Sequence, residues 1–304
     1  MPVLGLSCYT ANLHRYLAGE WDADEIVSRS VRLAVRVDRP DGRLVFSHHE
    51  PTLDHLPDGS RLCYTAAESP TAAQPALAAE LDRHGRVLVV VDSARLPWSV
   101  SSGGPPAPHW LLVDGRRDGE WHVIDEFAAL LPEGEQRPHA GWLSDAGLTT
   151  AMTLPAHWTP EQELRNIYAF GDPVTVPAGG ALWLRRCHDR PQATGPPAGR
   201  WLRSDAAVLR HLMGYAAEHG TLPAGHLDDI WAAAGHRSFA YRWRLASGAD
   251  SDAHRDALET ALAQWENLPK FVRLAAESAQ RGRPRPVLAR ATLEALLRAE
   301  EDRQ

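Results

Sequence analysis

HWLLVDGRRDGEWHVIDEF, residues 109–127, is the stretch on which the fold turns. It reads as a β-hairpin, because two apolar runs, 109–113 and 121–125, flank a polar loop carrying Asp114-Gly115 and Asp118-Gly119. Taking Val113 opposite Trp121, antiparallel pairing keeps the sum of partner numbers constant and sets His109 opposite Asp125. Directly opposed residues share a face, with Cβ atoms roughly 5 Å apart. A carboxylate there can hold the imidazole and fix its tautomer, and an oriented imidazole can activate a thiol or hydroxyl. A register slip of one residue would put the two side chains on opposite faces. The competing reading is a surface hairpin with an incidental His and Asp.

Upstream, VLVVV at 87–91 is a continuous β-branched run, expected as a buried central strand ending at Asp92. SARLPW follows, then SSGGPPAP at 101–108, which has no helical or strand period. That loop delivers the chain to His109 and is expected either as a lid or as an inert surface loop. A helix is expected near 71–84, with Thr71 and Gln74 as a capping box and Gly85 as the stop. Another is expected to open over 126–131. At the N-terminus, a helix is expected from Cys8 with Ser7 as its N-cap. A thiol there meets the positive end of the helix dipole, which favours the thiolate. Cys63 and Cys187 read instead as small buried hydrophobes.

A chain of 304 residues suits two domains of about 150 residues each. The net charge of −7 argues against nucleic acid as the main partner. Three cysteines, an odd number with no close pair, do not read as a disulfide framework, so a reducing cytoplasm is expected. The stretch MPVLGLSCYT lacks the charged segment and apolar length of a signal peptide, and no apolar run approaches a membrane span. No membrane partner is therefore expected.

The run HHEPTLDH places His48, His49, Glu50, Asp54 and His55 together, but the spacing matches no zinc pattern, so a polar loop is expected and no metal. From Thr159 onward the pattern becomes helical, with Thr159-Pro160 as a strong start. Short extended pieces interrupt it near 174–176 and 181–186, and a Pro/Gly-rich loop at 189–199. Apolar stripes follow at 208–215, ended by Gly220, at 226–234, stopped by Gly235, then around Leu258 to Trp265, Phe271 to Ala279 and Leu288 to Leu297. Arg185, Arg186, Arg190, Arg200 and Arg203 form a loose basic group, a docking face for an acidic carrier protein or simply a solvated surface.

The order Cys8, His109, Asp125, with Cys on a helix and His on a sheet, follows the logic of papain-like cysteine enzymes. Cys8, VLVVVDSARLPW at 87–98, HWLLVDG at 109–115 and VIDEF at 123–127 occur in one order. In this the first 130 or so residues resemble the N-terminal domain of butirosin biosynthesis protein H and its relatives. That family looks like peptidase family C39 in fold, and its named member moves an acyl group from an acyl carrier protein to an amine. The resemblance implies Cys8 as nucleophile, His109 as base and Asp125 as the orienting carboxylate. It departs at Asp125-Glu126, where many relatives have Asp-Pro, and residues 1–7 contain no Gln of the kind papain-like peptidases use to bind the oxyanion. The backbone N–H of Cys8 is then the expected oxyanion donor, with Ser7 or Asn12 as candidates for a second.

The expectation is an α+β protein. Residues 1–150 form a papain-like, C39-peptidase-like acyltransferase domain, and residues 151–304 a mostly helical domain, like the uncharacterised helical segment that follows this domain in bacteria, that helps shape the acceptor pocket. The expected activity is cysteine-dependent acyl transfer from an acyl-carrier-protein thioester to an amine or hydroxyl in natural-product biosynthesis. An intramolecular acceptor would make it a cyclisation. No cofactor is expected, since the carrier's phosphopantetheine arm enters as substrate. A cysteine peptidase or thioesterase uses the same groups, and a non-catalytic binding module on a peptidase-like fold is the alternative outside enzymes.

Overall fold

The computed structural model describes residues 5–131, 133–163, 165–171, 174–188, 199–219, 226–248, 251–283 and 285–302. In chain order its elements begin with α1 (Cys8–Leu17), α2 (Ala23–Ser30), β1 (Val31–Arg36), β2 (Val45–His49), β3 (Arg61–Ala67), α3 (Pro70–His84) and β4 (Val87–Asp92). A 3₁₀ turn (Ser93–Arg95) leads to β5 (Pro108–Arg117), β6 (Glu120–Asp125), β7 (Ala129–Leu131), β8 (Gly134–Gln136) and β9 (His139–Ser144). Then come α4 (Asp145–Ala151), α5 (Pro160–Glu163), α6 (Arg165–Phe170), β10 (Ala181–Cys187) and β11 (Trp201–Leu202). Four helices close the chain, α7 (Asp205–His219), α8 (Leu227–Ser247), α9 (Asp252–Gln280) and α10 (Pro286–Glu301). The protein is α+β, and its sheet pairings are antiparallel.

Two compact units result, and they do not divide at residue 150. One comprises Pro2–Asp24 and Pro51–Thr194, the other Glu25–Glu50 and Gly195–Gln304. The expected halves therefore exchange segments, because β10 completes the first unit's sheet and β1 and β2 belong with the late helices.

The first unit is built on a six-stranded sheet of order β3-β10-β4-β5-β6-β9. Every residue of β4 is buried, which explains its unbroken apolar sequence. On one face Val87, Val89, Leu111, Val113, Trp121 and Val123 pack with Ala73, Leu77 and Leu81 of α3 and Leu148 of α4. On the other, Trp110 stacks on Tyr9 of α1 with ring centroids 4.2 Å apart. Helix α3 starts one turn-residue earlier than expected, with Ser69 as N-cap and Pro70 at its first position, and stops at Gly85 in the left-handed region as expected. Residues 126–131 do not form a helix; Ala129–Leu131 pairs as β7 with β8.

Cys63 and Cys187 form a disulfide, against the sequence expectation. They lie on neighbouring strands, where Arg185 pairs with Cys63 and Cys187 with Arg61. The bridge spans 124 residues of sequence, so only the sheet pairing brings the two sulfurs together. The cysteine count thus no longer argues for a reducing compartment. Among the described residues no helix is long and apolar enough to cross a membrane.

The second unit packs the three-stranded sheet β11-β1-β2 with α7 to α10. Leu33, Val35 and Phe46 from the strands meet Val208, Leu212, Ala233, Trp265, Leu293 and Leu296 from the helices. Helix α8 runs through Gly235, which therefore does not stop it, and α9 joins two expected stripes through Pro269. The expected stop at Gly220 and most of the Pro/Gly-rich loop at 189–199 lie outside the described residues.

Candidate active site

The hairpin's register differs from the expected one by two residues. Val113 pairs with Val123 and Leu112 with Ile124, while Arg117 pairs with Glu120. The strands run on past Asp114-Gly115, which becomes a bulge between Val113 and Gly115. The turn is Asp118-Gly119, with φ of 45° and 77°, the two positive values a two-residue type I′ hairpin requires. Continuing the ladder sets Leu111, not His109, opposite Asp125. An even slip keeps the face, so His109 and Asp125 remain on one side as diagonal neighbours, and the contact forms. His109 Nε2 lies 2.9 Å from Asp125 Oδ1.

Helix α1 brings the third group. Ser7 is its N-cap, accepting from the Thr10 N–H at 3.2 Å, and Cys8 is its first residue and half-buried. Cys8 lies near enough to His109 to act on its imidazole. Burial works against the charged imidazole of His109, but the charges of Asp125 and Cys8 and the hydrogen bond to Asp125 outweigh it and push its pKa up to about 10. Burial likewise opposes the Asp125 carboxylate, yet the His109 charge and hydrogen bonds from His109, Trp98 and Asn12 hold its pKa below the usual value. Asp125 is 1% and His109 5% exposed, so solvent screens this pair little.

Two expected oxyanion donors are otherwise engaged. Ser7 Oγ caps α1 and shares a hydrogen bond with Thr10 Oγ1. Asn12 Nδ2 points to Cys8 O at 2.9 Å, Trp110 O at 2.8 Å and Asp125 Oδ1 at 3.2 Å, and Asn12 Oδ1 accepts from Glu126 N at 3.0 Å. Its amide is committed to protein acceptors because, on a helix, position 12 lies one turn from position 8 and faces the sheet. The Thr10 N–H is taken by Ser7 Oγ, while the backbone N–H groups of Cys8 and Tyr9 lie at the positive end of the α1 dipole.

Several residues that shape the site had no assigned role in the sequence. Trp98 donates from Nε1 to Asp125 Oδ2 at 3.0 Å and stacks on His139 at 4.0 Å. His139 pairs with Asp125 across the β6–β9 ladder. The fragment LPW was visible, but nothing local says that its indole reaches a strand end nearly thirty residues on. Asp92 Oδ1 accepts from Ala94 N at 3.0 Å and Ala107 N at 3.1 Å, fixing both ends of the loop before His109. That loop is further tied by Gly103 N to Ala94 O at 2.8 Å, and with Ser93 and Glu133 it walls a cleft of about 430 Å³.

The remaining candidates disperse. His49 meets Ser30 Oγ, Glu50 pairs with Arg32, Asp54 with Arg61, and His55 Nδ1 meets Thr52 Oγ1. Among the described residues no group of three or more His, Cys, Asp or Glu is placed to hold a metal ion. Arg186 is no docking cation, since it is enclosed by Glu20, Tyr16 and Trp21. Arg200 and Arg203 belong to the other unit and Arg190 lies outside the described residues. Compared with protein-family models and with curated proteins, the chain matches none.

Proposed function

We propose that the protein is a cysteine-dependent acyltransferase of papain-like type, related to the butirosin biosynthesis protein H N-terminal family, that takes an acyl group from an acyl-carrier-protein thioester. The observation that carries this reading is that Cys8, half-buried at the start of α1, stands beside the buried His109–Asp125 pair, the three residues coming from three different elements. Cys8 sulfur attacks the thioester carbonyl with the shared proton on His109. The new carbon–sulfur bond leaves a tetrahedral oxyanion at the α1 N–H groups. Collapse breaks the bond to the pantetheine sulfur, which leaves with the His109 proton. An amine or hydroxyl then attacks the Cys8 thioester and gives its proton to His109, Cys8 departs, and the acylated acceptor is released. No cofactor takes part, and the carrier's pantetheine arm is itself substrate. Thiol-to-thiol exchange is close to isoenergetic, so the acyl group stays activated for the acceptor.

Incubation with a short acyl-pantetheine thioester, with and without an amine acceptor, tests the reading. Transfer is expected in wild type and absent in Cys8→Ala. Product formation that needs only water would make the protein a thioesterase, and undiminished transfer by Cys8→Ala would remove Cys8 from the chemistry.

A further inference from the structure

We propose that Asn12 and Trp98 are positioning residues that clamp Asp125 and thereby set the direction and protonation of the Asp125–His109 pair. This rests on the acyl-transfer reading for its rate effects, but not for its geometry.

Asn12 is fully buried within a helix, where its side chain bonds the carbonyl of Cys8 four residues back. Such an amide competes with the helix backbone and is disfavoured there unless it does something else. Here it joins the three elements that carry the reacting groups. Its Nδ2 reaches Trp110 O, the residue beside His109, and Asp125 Oδ1, while its Oδ1 is held by the N–H of Glu126. That last bond fixes which way the amide faces, and its donor is the backbone N–H of residue 126, which a proline there would lack. From the other side Trp98 takes Asp125 Oδ2, its indole pressed against His139. Phe127 N adds a third donor to Oδ1 at 3.1 Å. The carboxylate is thus pinned at both oxygens and cannot rotate, so the lone pair that meets His109 Nε2 has one direction. The ring face of His109 is bounded by Phe127, with centroids 5.8 Å apart.

The clamp also acts on charge. Donors to a carboxylate favour its ionised form. The titratable groups beside Asp125 are His109 on β5 and His139 on β9, with Cys8 on α1 acting on His109 and the Glu126–Arg15 pair alongside at 3.6 Å. Of these, His109 is the group in direct contact. Asn12 and Trp98 are neutral, so removing either deletes a donor without adding or removing a charge.

The test uses the full chain and two variants, Trp98→Phe, which keeps a ring against His139, and Asn12→Ala. Displacing a catalytic group by an ångström can cost 10²-fold, so kcat for the acyl-pantetheine thioester is expected to fall about 10-fold in Trp98→Phe and about 100-fold in Asn12→Ala. KM should stay within about twofold. The acid limb of the rate profile is expected to move to higher pH by about one unit, because Asp125 loses a donor to its charged form. A merely structural role would lower the unfolding temperature and leave that limb in place. A second readout needs no substrate, namely the low-field, slowly exchanging NMR signal of the His109 Nε2 proton. It should be present in wild type and lost or exchange-broadened in both variants. A retained signal with an unmoved acid limb overturns the clamp. If Cys8→Ala keeps full activity, the acyl-transfer reading fails and the NMR signal alone decides the clamp. Should Asn12→Ala not fold, Trp98→Phe decides.

Discussion

Asp125 accepts from His109, Asn12, Trp98 and the Phe127 N–H, and an amide at this position cannot accept at every one of those contacts. Asp125→Asn must present its NH₂ either to the Trp98 N–H or to the His109 and Asn12 donors, and the imidazole then loses its orienting acceptor. The variant is expected to fold and to lose about 10³–10⁴-fold in turnover, as tautomer-reversing changes do in related triads; wild-type turnover would remove Asp125 from the site. The pH profile belongs to the same residues. Because His109 holds its proton up to about pH 10, the acylation step is expected to stay flat through pH 9 and to fall above it, as the proton for the leaving sulfur is lost. An alkaline limb near pH 7 in a kcat/KM titration would mean that His109 is not paired as described. Most of this site was legible from residue order and strand alternation, which supplied Cys8, His109 and Asp125. Asn12 was legible as a nearby polar group but not in its role, because its partners come from β5 and β6. Trp98 was illegible for the same reason.

The hairpin of β5 and β6 shows why a register read from sequence can be wrong and still be useful. Both Asp-Gly pairs are turn signals, and nothing local decides that Asp118-Gly119 makes the turn and Asp114-Gly115 the bulge. The error of two residues preserved the face on which His109 and Asp125 meet. Gly119 has φ of 77°, and an added Cβ would lie 3.2 Å from Asp145 Oδ2, whose partner oxygen takes the Trp121 indole. Gly119→Ala is therefore expected to cost about 1–2 kcal/mol, measured as a lower urea midpoint with an unchanged slope; an unchanged midpoint would contradict the turn assignment. Other elements were misread because their partners are distant. Strand β1 finds β11 some 165 residues on, and α8 passes through Gly235 because burial on the helix face outweighs a glycine cost of about 1 kcal/mol. The disulfide is the extreme case, with strand pairing joining Cys63 to Cys187. Its reduction is expected to lower unfolding stability by about 2–5 kcal/mol, read from denaturant midpoints with and without dithiothreitol; coincident curves would show that no bridge forms.

For the molecule as a whole, the interleaving of its segments predicts what dissection does. Residues 1–150 lack β10, which lies between β3 and β4 in the sheet. That fragment is expected to aggregate through the two strand edges it exposes, whereas a soluble, monomeric fragment by light scattering would contradict the sheet order. Acid sensitivity follows from the second unit. His48 and His236 are fully buried with rings 5.3 Å apart, and burial lowers both pKa values, that of His236 to about 3, with the charge of Arg237 adding to the effect on His48. The unfolded chain takes up protons below pH 6.5 that the folded chain refuses, so stability falls as pH drops through 6.5, by about 2 kcal/mol at pH 5 for His236 and in the same direction for His48. Urea midpoints should decline between pH 6.5 and 5, before carboxylates titrate, and the decline should shrink in His236→Phe; equal slopes in the two proteins would exclude these rings as the cause. The proposed acyl transfer rests on one thiol, that of Cys8, beside the His109–Asp125 pair. With the bridge intact, Cys8 is the free cysteine among the described residues. The most direct measurement is the intact mass of the unreduced protein after brief exposure to an acyl-pantetheine thioester, followed by peptide mapping. The account predicts a single added acyl mass on the peptide containing Cys8, absent in Cys8→Ala and discharged by an amine. No adduct and no turnover in wild type, or an adduct that persists in Cys8→Ala, would contradict it.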